Sequence, residues 1–583
     1  MIHSEVARSG GVPSLFINGR EVPAMAYVTY FDEEGCFRSF REAGYRLFSL
    51  AVYFGDRGIN SVTGISPFSP GIFSRRGEAD FSLFDRAVQR ILREVPDALI
   101  FPRINMSLPA WWEEENPEEC NDTGVGGGPR RCCFSSRKWR ETTREFLRRF
   151  LSHVSGSSFR DHLFGYQLAD GNTEEWFSYD QTGSIGPAAR SEFARRYPGT
   201  SDDAAFRRYL SEAAAEAIAE FASVAKAETG RRLVIGSFYG YTFEVPFWQS
   251  NHHALKILLE CPDLDFICSP ASYITRRSPE KGWPYMLPVD SLKLHGKLYF
   301  VEYDTRTFRT RLLRESHPEI CRENTYDSPV WKGPSTEAAS LGILRMNFAQ
   351  QLTGGHASWW FDMWGGWFDS PGIMREMKLF RTIAESALKE PRRESVAECA
   401  AWIDETCFAQ TDSPVSACCS GGRIAIVQSG IPFDFYLMSD FDRTVERYRA
   451  ALFFLPVPTP EAERAIAVCR TKGIPVLILS PEVPVTAEKI RDFCVRSGIH
   501  CYNPDGDAVF VSRSYLAVHA AYRGEHPVIL PNVRRILPRI PAGEAVVSDR
   551  ITLFLESGDT ALFQLQDEED NPTSSTQTRS KSE

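Results

Sequence analysis

Lys297-Leu-Tyr-Phe-Val-Glu-Tyr-Asp-Thr-Arg-Thr307 is an apolar run that ends abruptly in charge. Read as a buried strand over 297–303, it delivers Glu302 at its C-terminal end, where β/α barrels collect their chemistry. A carboxylate behind Leu-Tyr-Phe-Val is hard to bury without purpose, because an unpaired buried charge is strongly unfavourable. A second run of the same design, His162-Leu-Phe-Gly-Tyr-Gln-Leu-Ala-Asp-Gly-Asn-Thr-Glu-Glu-Trp176, also ends in acids, Glu174 and Glu175. Two acids brought by two different strands predict a paired-carboxylate site.

Working outward from these runs, strands are expected near 23–30, 45–53, 98–105, 162–169, 232–239, 264–271, 297–303 and 357–363. Helical patterns lie between them, among them Phe84 to Glu94, Arg137 to Val154, Asp203 to Thr229 and Thr336 to Leu352. Strand and helix in alternation predict a parallel sheet. Eight such units over 1–390 match a closed (β/α)8 TIM barrel. No Gly-rich phosphate loop follows any strand, which argues against an open nucleotide-binding sheet. Beyond about Ser395 the texture shortens: Glu398 to Asp404, Arg423 to Ser429, Ala450 to Pro456 and Pro475 to Ser480 read as apolar strands, with a helix from Thr459 to Lys472. This predicts a smaller α/β domain over 396–505, a small β domain over 506–566, and a polar, disordered tail over 567–583.

Bulk properties narrow the function. A formal charge of −10 argues against a nucleic-acid partner, which needs clustered Lys and Arg. No run is long and apolar enough for a secretory signal or a membrane span, so a cytoplasmic protein without a membrane partner is expected. Cysteines such as Cys261, Cys268, Cys399 and Cys469 sit in apolar contexts and read as reduced, buried thiols. Cys120, Cys132 and Cys133 share a Gly-rich loop, but three ligands without C-x-x-C spacing fall short of a zinc set. No metal and no cofactor are expected.

The strand ends form one inventory. The third gives Arg103, Asn105 and Trp111; the fourth Asn172, Glu174 and Glu175; the fifth Tyr239; the sixth Tyr273; the seventh Glu302, Asp304 and Arg306; the eighth Trp359, Asp362 and Trp364. Carboxylates, amides, arginines and aromatics together suit a sugar, whose C–H faces stack on rings and whose hydroxyls need polar partners. Any one tryptophan is equally consistent with core packing, and Asp304 with Arg306 also reads as a rim ion pair. Glu302, near Arg103 and Arg306, is the expected nucleophile. Glu175, beside the apolar wall of Trp176, is the expected general acid/base, with Glu174 as the alternative.

Four segments carry a family resemblance: Phe101-Pro-Arg-Ile-Asn105 with Pro109-Ala-Trp-Trp112, Gly165 to Trp176, Val301 to Thr307, and Ser358-Trp-Trp-Phe-Asp-Met-Trp-Gly-Gly-Trp-Phe368. In them the chain resembles clan A glycoside hydrolases, and within that clan is similar to family 42 β-galactosidases. The resemblance implies an acid/base ending strand four (Glu175) and a nucleophile ending strand seven (Glu302), acting on an oligosaccharide or glycoside; carboxyl groups roughly 5 Å apart give retention and about 8 Å inversion, and a retaining, exo-acting β-glycosidase is expected. It also implies a flavodoxin-like trimerisation domain after the barrel, including Gly430 to Asp440, and hence a homo-oligomer, dimer or trimer. The clan places Asn directly before the acid/base, where this chain has Glu174, and the family's four-Cys zinc site is incomplete here. These departures leave the glycone open among β-galactoside, β-mannoside, α-L-arabinoside and β-fucoside types. A non-catalytic sugar-binding barrel is the reading from another class.

Overall fold

The computed structural model describes residues 2–56, 68–121, 131–178, 185–321, 326–411 and 416–567. Eight parallel strand positions close on themselves. They are Met25–Thr29, Leu47–Tyr53, Leu99–Ile100 with Arg103–Asn105, Gly165–Ala169, Val234–Phe238, Phe266–Pro270, Leu298–Tyr303 and Ala357–Asp362. The seam is made by strand eight on strand one, with Trp359 opposite Ala26, and strand one pairs in turn with strand two. Strand three is split because Pro102 has no N–H to give the ladder. Every residue of strands four to eight is buried, which is why these segments read as continuous apolar runs rather than alternating ones.

The helices follow the periodicity closely. Ser82–Glu94, Arg137–Gly156, Asp203–Glu228 and Glu337–Gly354 cover the outside of the barrel. Ser136 and Thr336 cap two of them by accepting the N–H of Trp139 and Ala339. Ahead of the barrel lies an antiparallel sheet that the sequence reading did not separate: Ser4–Ser9, Val12–Ile17 and Arg20–Glu21. It seals the floor. The Ser4 N–H donates to the Arg232 carbonyl (2.8 Å), the Val234 N–H donates to Ser4 Oγ (2.9 Å), and that hydroxyl donates to the Phe164 carbonyl.

After the barrel comes a four-stranded parallel sheet in the spatial order Phe433–Leu437, Cys399–Ile403, Ala450–Phe454, Val476–Leu479. In chain order this is 2-1-3-4, the flavodoxin-like arrangement. One expectation fails here. Arg423 to Ser429 belongs chiefly to the helix Ser416–Val427, and the strand beside it is Phe433–Leu437. Its Ile-Ala-Ile-Val run is β-prone by composition. Tertiary contacts decide otherwise: Arg423 is buried and donates to Glu244 (3.0 Å) and to the Tyr285 carbonyl (2.6 Å), fixing the helix on the barrel. A five-stranded antiparallel sheet follows, ending with Thr560–Gln566. It packs on Glu337–Gly354, where Thr560 donates to the Gly342 carbonyl. Of the expected tail, 567–583, only Asp567 lies within the described residues. Among the described residues no helix is long and apolar enough to cross a membrane.

Candidate active site

Strand seven runs straight into the mouth of the barrel, and its alternation assigns the faces. Tyr303 and Thr305 point out to the helix Glu337–Gly354, donating to the backbone oxygen and the side-chain oxygen of Asn347 (both 2.7 Å). Glu302 therefore faces inward, and just beyond the strand end Asp304 lies close enough for its charge to act on Glu302 and pairs with Arg306. Oε2 of Glu302 accepts from Arg103 Nη2 (2.5 Å) and from the Trp359 indole N–H (3.0 Å). Its Oε1 accepts no hydrogen bond from the described residues.

Strand four ends differently. After Ala169 the chain folds back on itself, with Asn172 N–H donating to Phe177 O (3.1 Å) and Trp176 N–H to Asp170 O (2.7 Å). Thr173, Glu174 and Trp176 all take left-handed backbone conformations, with φ of 58°, 69° and 63°. Non-glycine residues pay about 1–3 kcal/mol each for such conformations, a strain found where geometry serves a site. The loop turns Glu174 inward and down. Its carboxylate accepts from Tyr30 (3.0 Å), Arg103 Nη1 (3.3 Å) and Asn105 (3.4 Å), and it is wholly inaccessible. Glu175 stays partly accessible at its surface, although its carboxyl sits in an enclosed, poorly solvated setting. Tyr241 donates to one of its oxygens (2.8 Å) and Thr173 to the other (2.6 Å).

The electrostatics follow from these contacts. Burial lifts the Glu302 carboxyl to about 7, with Arg103 opposing the rise and Asp304 adding to it. Burial lifts Glu175 further, to about 8, and the Glu302 charge adds to that rise. Arg103 touches Glu302 and Glu174 but makes no hydrogen bond to Glu175. Its guanidinium also lies over the rings of Phe238 (4.8 Å), Phe361 (4.9 Å) and Trp359 (5.5 Å), and its Nε donates to Gln167 (3.1 Å).

The structure thus gathers Arg103, Asn105, Glu174, Glu175, Glu302 and Trp359 in one mouth, with Tyr273, Asp304 and Arg306 along one side. Tyr273 donates to Asp304 (2.5 Å), and Arg277 and Arg306 both pair with that carboxylate. Trp364 joins an aromatic wall with Tyr30, Tyr326 and Trp331. Asn172 is buried in the strand-four loop, where its Oδ1 finds no partner among the described residues. Trp111 sits at the start of the helix Ala110–Glu115 and donates to the Phe73 carbonyl (2.9 Å).

Two expected residues are used elsewhere. Tyr239 is turned outward, donating to the carbonyls of Ser211 (2.9 Å) and Asn251 (2.7 Å). Asp362 ties its own turn, accepting from Tyr27, Gly366 and Trp367. Trp176 is not the wall beside Glu175, since its ring turns away to pack on Phe134 and Phe221. Tyr30 and Tyr53, which end strands one and two, were missed by an inventory that began at strand three. Burial and the Glu174 carboxylate hold both phenols well above their ordinary pKa.

Cys120 and Cys132 face each other across an isolated antiparallel bridge, and with Cys133 they are buried. Burial pushes the Cys132 and Cys133 thiols up. Among the described residues no group of three His, Cys, Asp or Glu is placed to hold a metal ion.

No protein-family model matches the sequence, and no curated protein does either. Solved structures do match along nearly the whole chain. The GH42 β-galactosidase Gan42B from G. stearothermophilus superposes with a TM-score of 0.62 at 10% identity, covering 96% of this chain and 99% of its own. The β-galactosidase of the Antarctic haloarchaeon Halorubrum lacusprofundi gives 0.61 at 13% identity, covering 93% and 99%. The α-L-fucosidase isoenzyme 2 from Paenibacillus thiaminolyticus gives 0.58 at 10%, covering 94% and 100%. With so little sequence in common, the likeness lies in the architecture: this chain has the fold of the GH42 β-galactosidases, a TIM barrel carrying a flavodoxin-like α/β unit and a small β unit.

Proposed function

We propose that this protein is a retaining, exo-acting β-glycosidase, β-galactosidase-like in its chemistry, with Glu302 as nucleophile and Glu175 as general acid/base. One observation carries the reading. Two carboxyl groups from strands four and seven share a mouth, and only one of them is held by a guanidinium. Glu302 is the easier of the two to ionise, and its unengaged Oε1 is free to attack an anomeric carbon. Glu175 holds its proton to higher pH and so can deliver it to the departing glycosidic oxygen. Water then enters with Glu175 as base, the glycosyl–Glu302 ester is cleaved, and both groups return to their starting states.

Glu174 is poorly suited to be the acid. Its oxygens are already engaged by Arg103, Asn105 and Tyr30, and no surface of it is open to a leaving group. It takes the position that the clan gives to Asn, and we assign it to holding Arg103 and, through Arg103, Glu302. Other glycones, and an assembly of two or three copies in the cytoplasm, are compatible with the same reading. The test is a panel of 4-nitrophenyl glycosides with the anomer of the first product followed by NMR. Hydrolysis with retained configuration is expected; an inverted first product would remove the double displacement, and no hydrolysis of any member would favour a sugar-binding barrel.

A further inference from the structure

Arg306 has an edge that no described residue uses. It lies just beyond the end of strand seven, bonded to Asp304 and near the Tyr273 ring, and only 4% of it is exposed. Its Nη1 donates to the Asp304 carbonyl and carboxylate, both at 2.7 Å. Nε and Nη2 are buried and, among the described residues, donate to nothing. Rings of Trp331 (4.3 Å), Trp367 (5.4 Å) and Tyr273 (5.9 Å) surround the guanidinium. What remains is one planar edge with two parallel N–H groups.

Buried donors left without acceptors are unfavourable and uncommon, so an arginine held this way calls for an explanation. The charge around it points to one. Asp304 is shared by two guanidiniums, Arg306 and Arg277, and both Nη atoms of Arg277 are already committed, to the carbonyls of Asp304 (2.9 Å) and Ala271 (2.7 Å). Across the mouth the balance is reversed, with Glu302 and Glu174 sharing Arg103. One side of the pocket thus carries a cation in excess and the other an anion.

We infer that the Nε/Nη2 edge of Arg306 is a subsite for an anionic oxygen group, a carboxylate or a sulfate ester, carried by the saccharide that occupies the mouth. This rests on the glycosidase reading and adds the substrate class to it. A guanidinium fork matches two coplanar or near-coplanar oxygens in a way that lysine or a hydroxyl does not. Placing the anion in the cationic corner also keeps it off Glu302 and Glu174, where it would meet like charge. Trp331, which covers the guanidinium, is itself partly exposed on the turn Pro329–Trp331, and it is the ring that must yield when the group enters.

Binding tests the subsite independently of turnover. The full-length Glu302→Gln protein is titrated calorimetrically with galactose, galacturonate and galactose 6-sulfate. At least one anionic sugar is expected to bind about tenfold or more tightly than galactose, and the two arms separate carboxylate from sulfate. Adding Arg306→Met should erase that ratio, and Arg306→Lys, which keeps the charge but not the fork, should recover only part of it. Melting curves establish that each variant is folded, and the Lys variant carries the test if the Met variant is not. Equal affinity for charged and neutral sugars, or a preference that survives both substitutions, overturns the inference. If the preference holds while the unsubstituted protein hydrolyses no glycoside, the subsite stands and the glycosidase reading falls.

Discussion

Strand seven and strand four each bring acid to the mouth of the barrel, and they do so by opposite means. Strand seven is regular: its alternation alone aims Glu302 inward, and a cation clamps it there. Strand four ends in a strained loop with three left-handed non-glycine residues, so that two adjacent acids point to different surroundings. Glu174 goes to the arginine and Glu175 to the open side. A single guanidinium, Arg103, thereby bonds two of the three carboxyl groups and leaves the third, Glu175, to hold its proton to higher pH than Glu302 does. Pairing a buried acid with a cation favours its charged form, and without direct contact to the cation desolvation, with the Glu302 charge adding to it, outweighs what opposes it at Glu175. The contrast teaches that division of labour in this pocket depends on the reach of Arg103 more than on the number of acids present.

The harshest way to break the comparison is to neutralise strand seven. Glu302→Gln should lower kcat by about 10⁴-fold or more while leaving the melting temperature near that of the parent, because a neutral amide still accepts from Arg103 and Trp359. Retention of activity on any glycoside that the parent cleaves would remove Glu302 from the chemistry. Next comes strand four. Glu175→Ala should cost about 10²–10⁴-fold on glycosides with poor leaving groups and far less on nitrophenyl glycosides, with added azide restoring the rate. Glu174→Ala should show no azide rescue, since the residue touches Arg103 rather than the leaving group. Rescue in the second variant instead of the first would exchange the two roles.

A gentler test moves the clamp itself. Arg103→Met leaves Glu302 and Glu174 buried without their cation, at a cost of about 3–5 kcal/mol in stability, read from denaturant unfolding. Because Arg103 lowers the Glu302 pKa, its loss should move the acid limb of kcat/KM to higher pH. An acid limb that stays in place would mean that the limb reports another group.

Most of the architecture could be read from sequence because the barrel strands are buried on both faces and so appear as unbroken apolar runs, each followed by a turn signal. The acids could be read for the same reason, since charge at the end of such a run has few structural uses. What could not be read depends on partners distant in sequence. Tyr239 looks like a pocket residue until its hydroxyl is seen to bind Ser211 and Asn251 on the outer layer. Asp362 looks like a third acid until Tyr27, Gly366 and Trp367 are found to occupy it. The run Arg423 to Ser429 is β-prone by composition and helical by context, because Arg423 finds Glu244 across the barrel surface. Tyr30 and Tyr53 carry the same strand-end signal as the others, at the ends of strands one and two. No local pattern announces that the strand-four loop is left-handed at Thr173, Glu174 and Trp176, yet that loop geometry separates Glu174 from Glu175.

The smallest effect belongs to Tyr241, and it sharpens the comparison most. With Glu302 at about 7 and Glu175 at about 8, kcat/KM should trace a narrow bell, rising as Glu302 loses its proton and falling as Glu175 loses its own. Tyr241 donates to Glu175 and so favours its anion, holding the basic limb lower than burial alone would set it. Tyr241→Phe removes that donor. The basic limb should therefore move to higher pH while the acid limb stays, and kcat at the optimum should change by no more than roughly tenfold, as befits a group that positions the acid rather than replaces it. A basic limb that moves down, or an acid limb that moves instead, would mean that Glu175 is not the group whose deprotonation ends activity. The assignment of strand four as the acid and strand seven as the nucleophile would then have to be reversed.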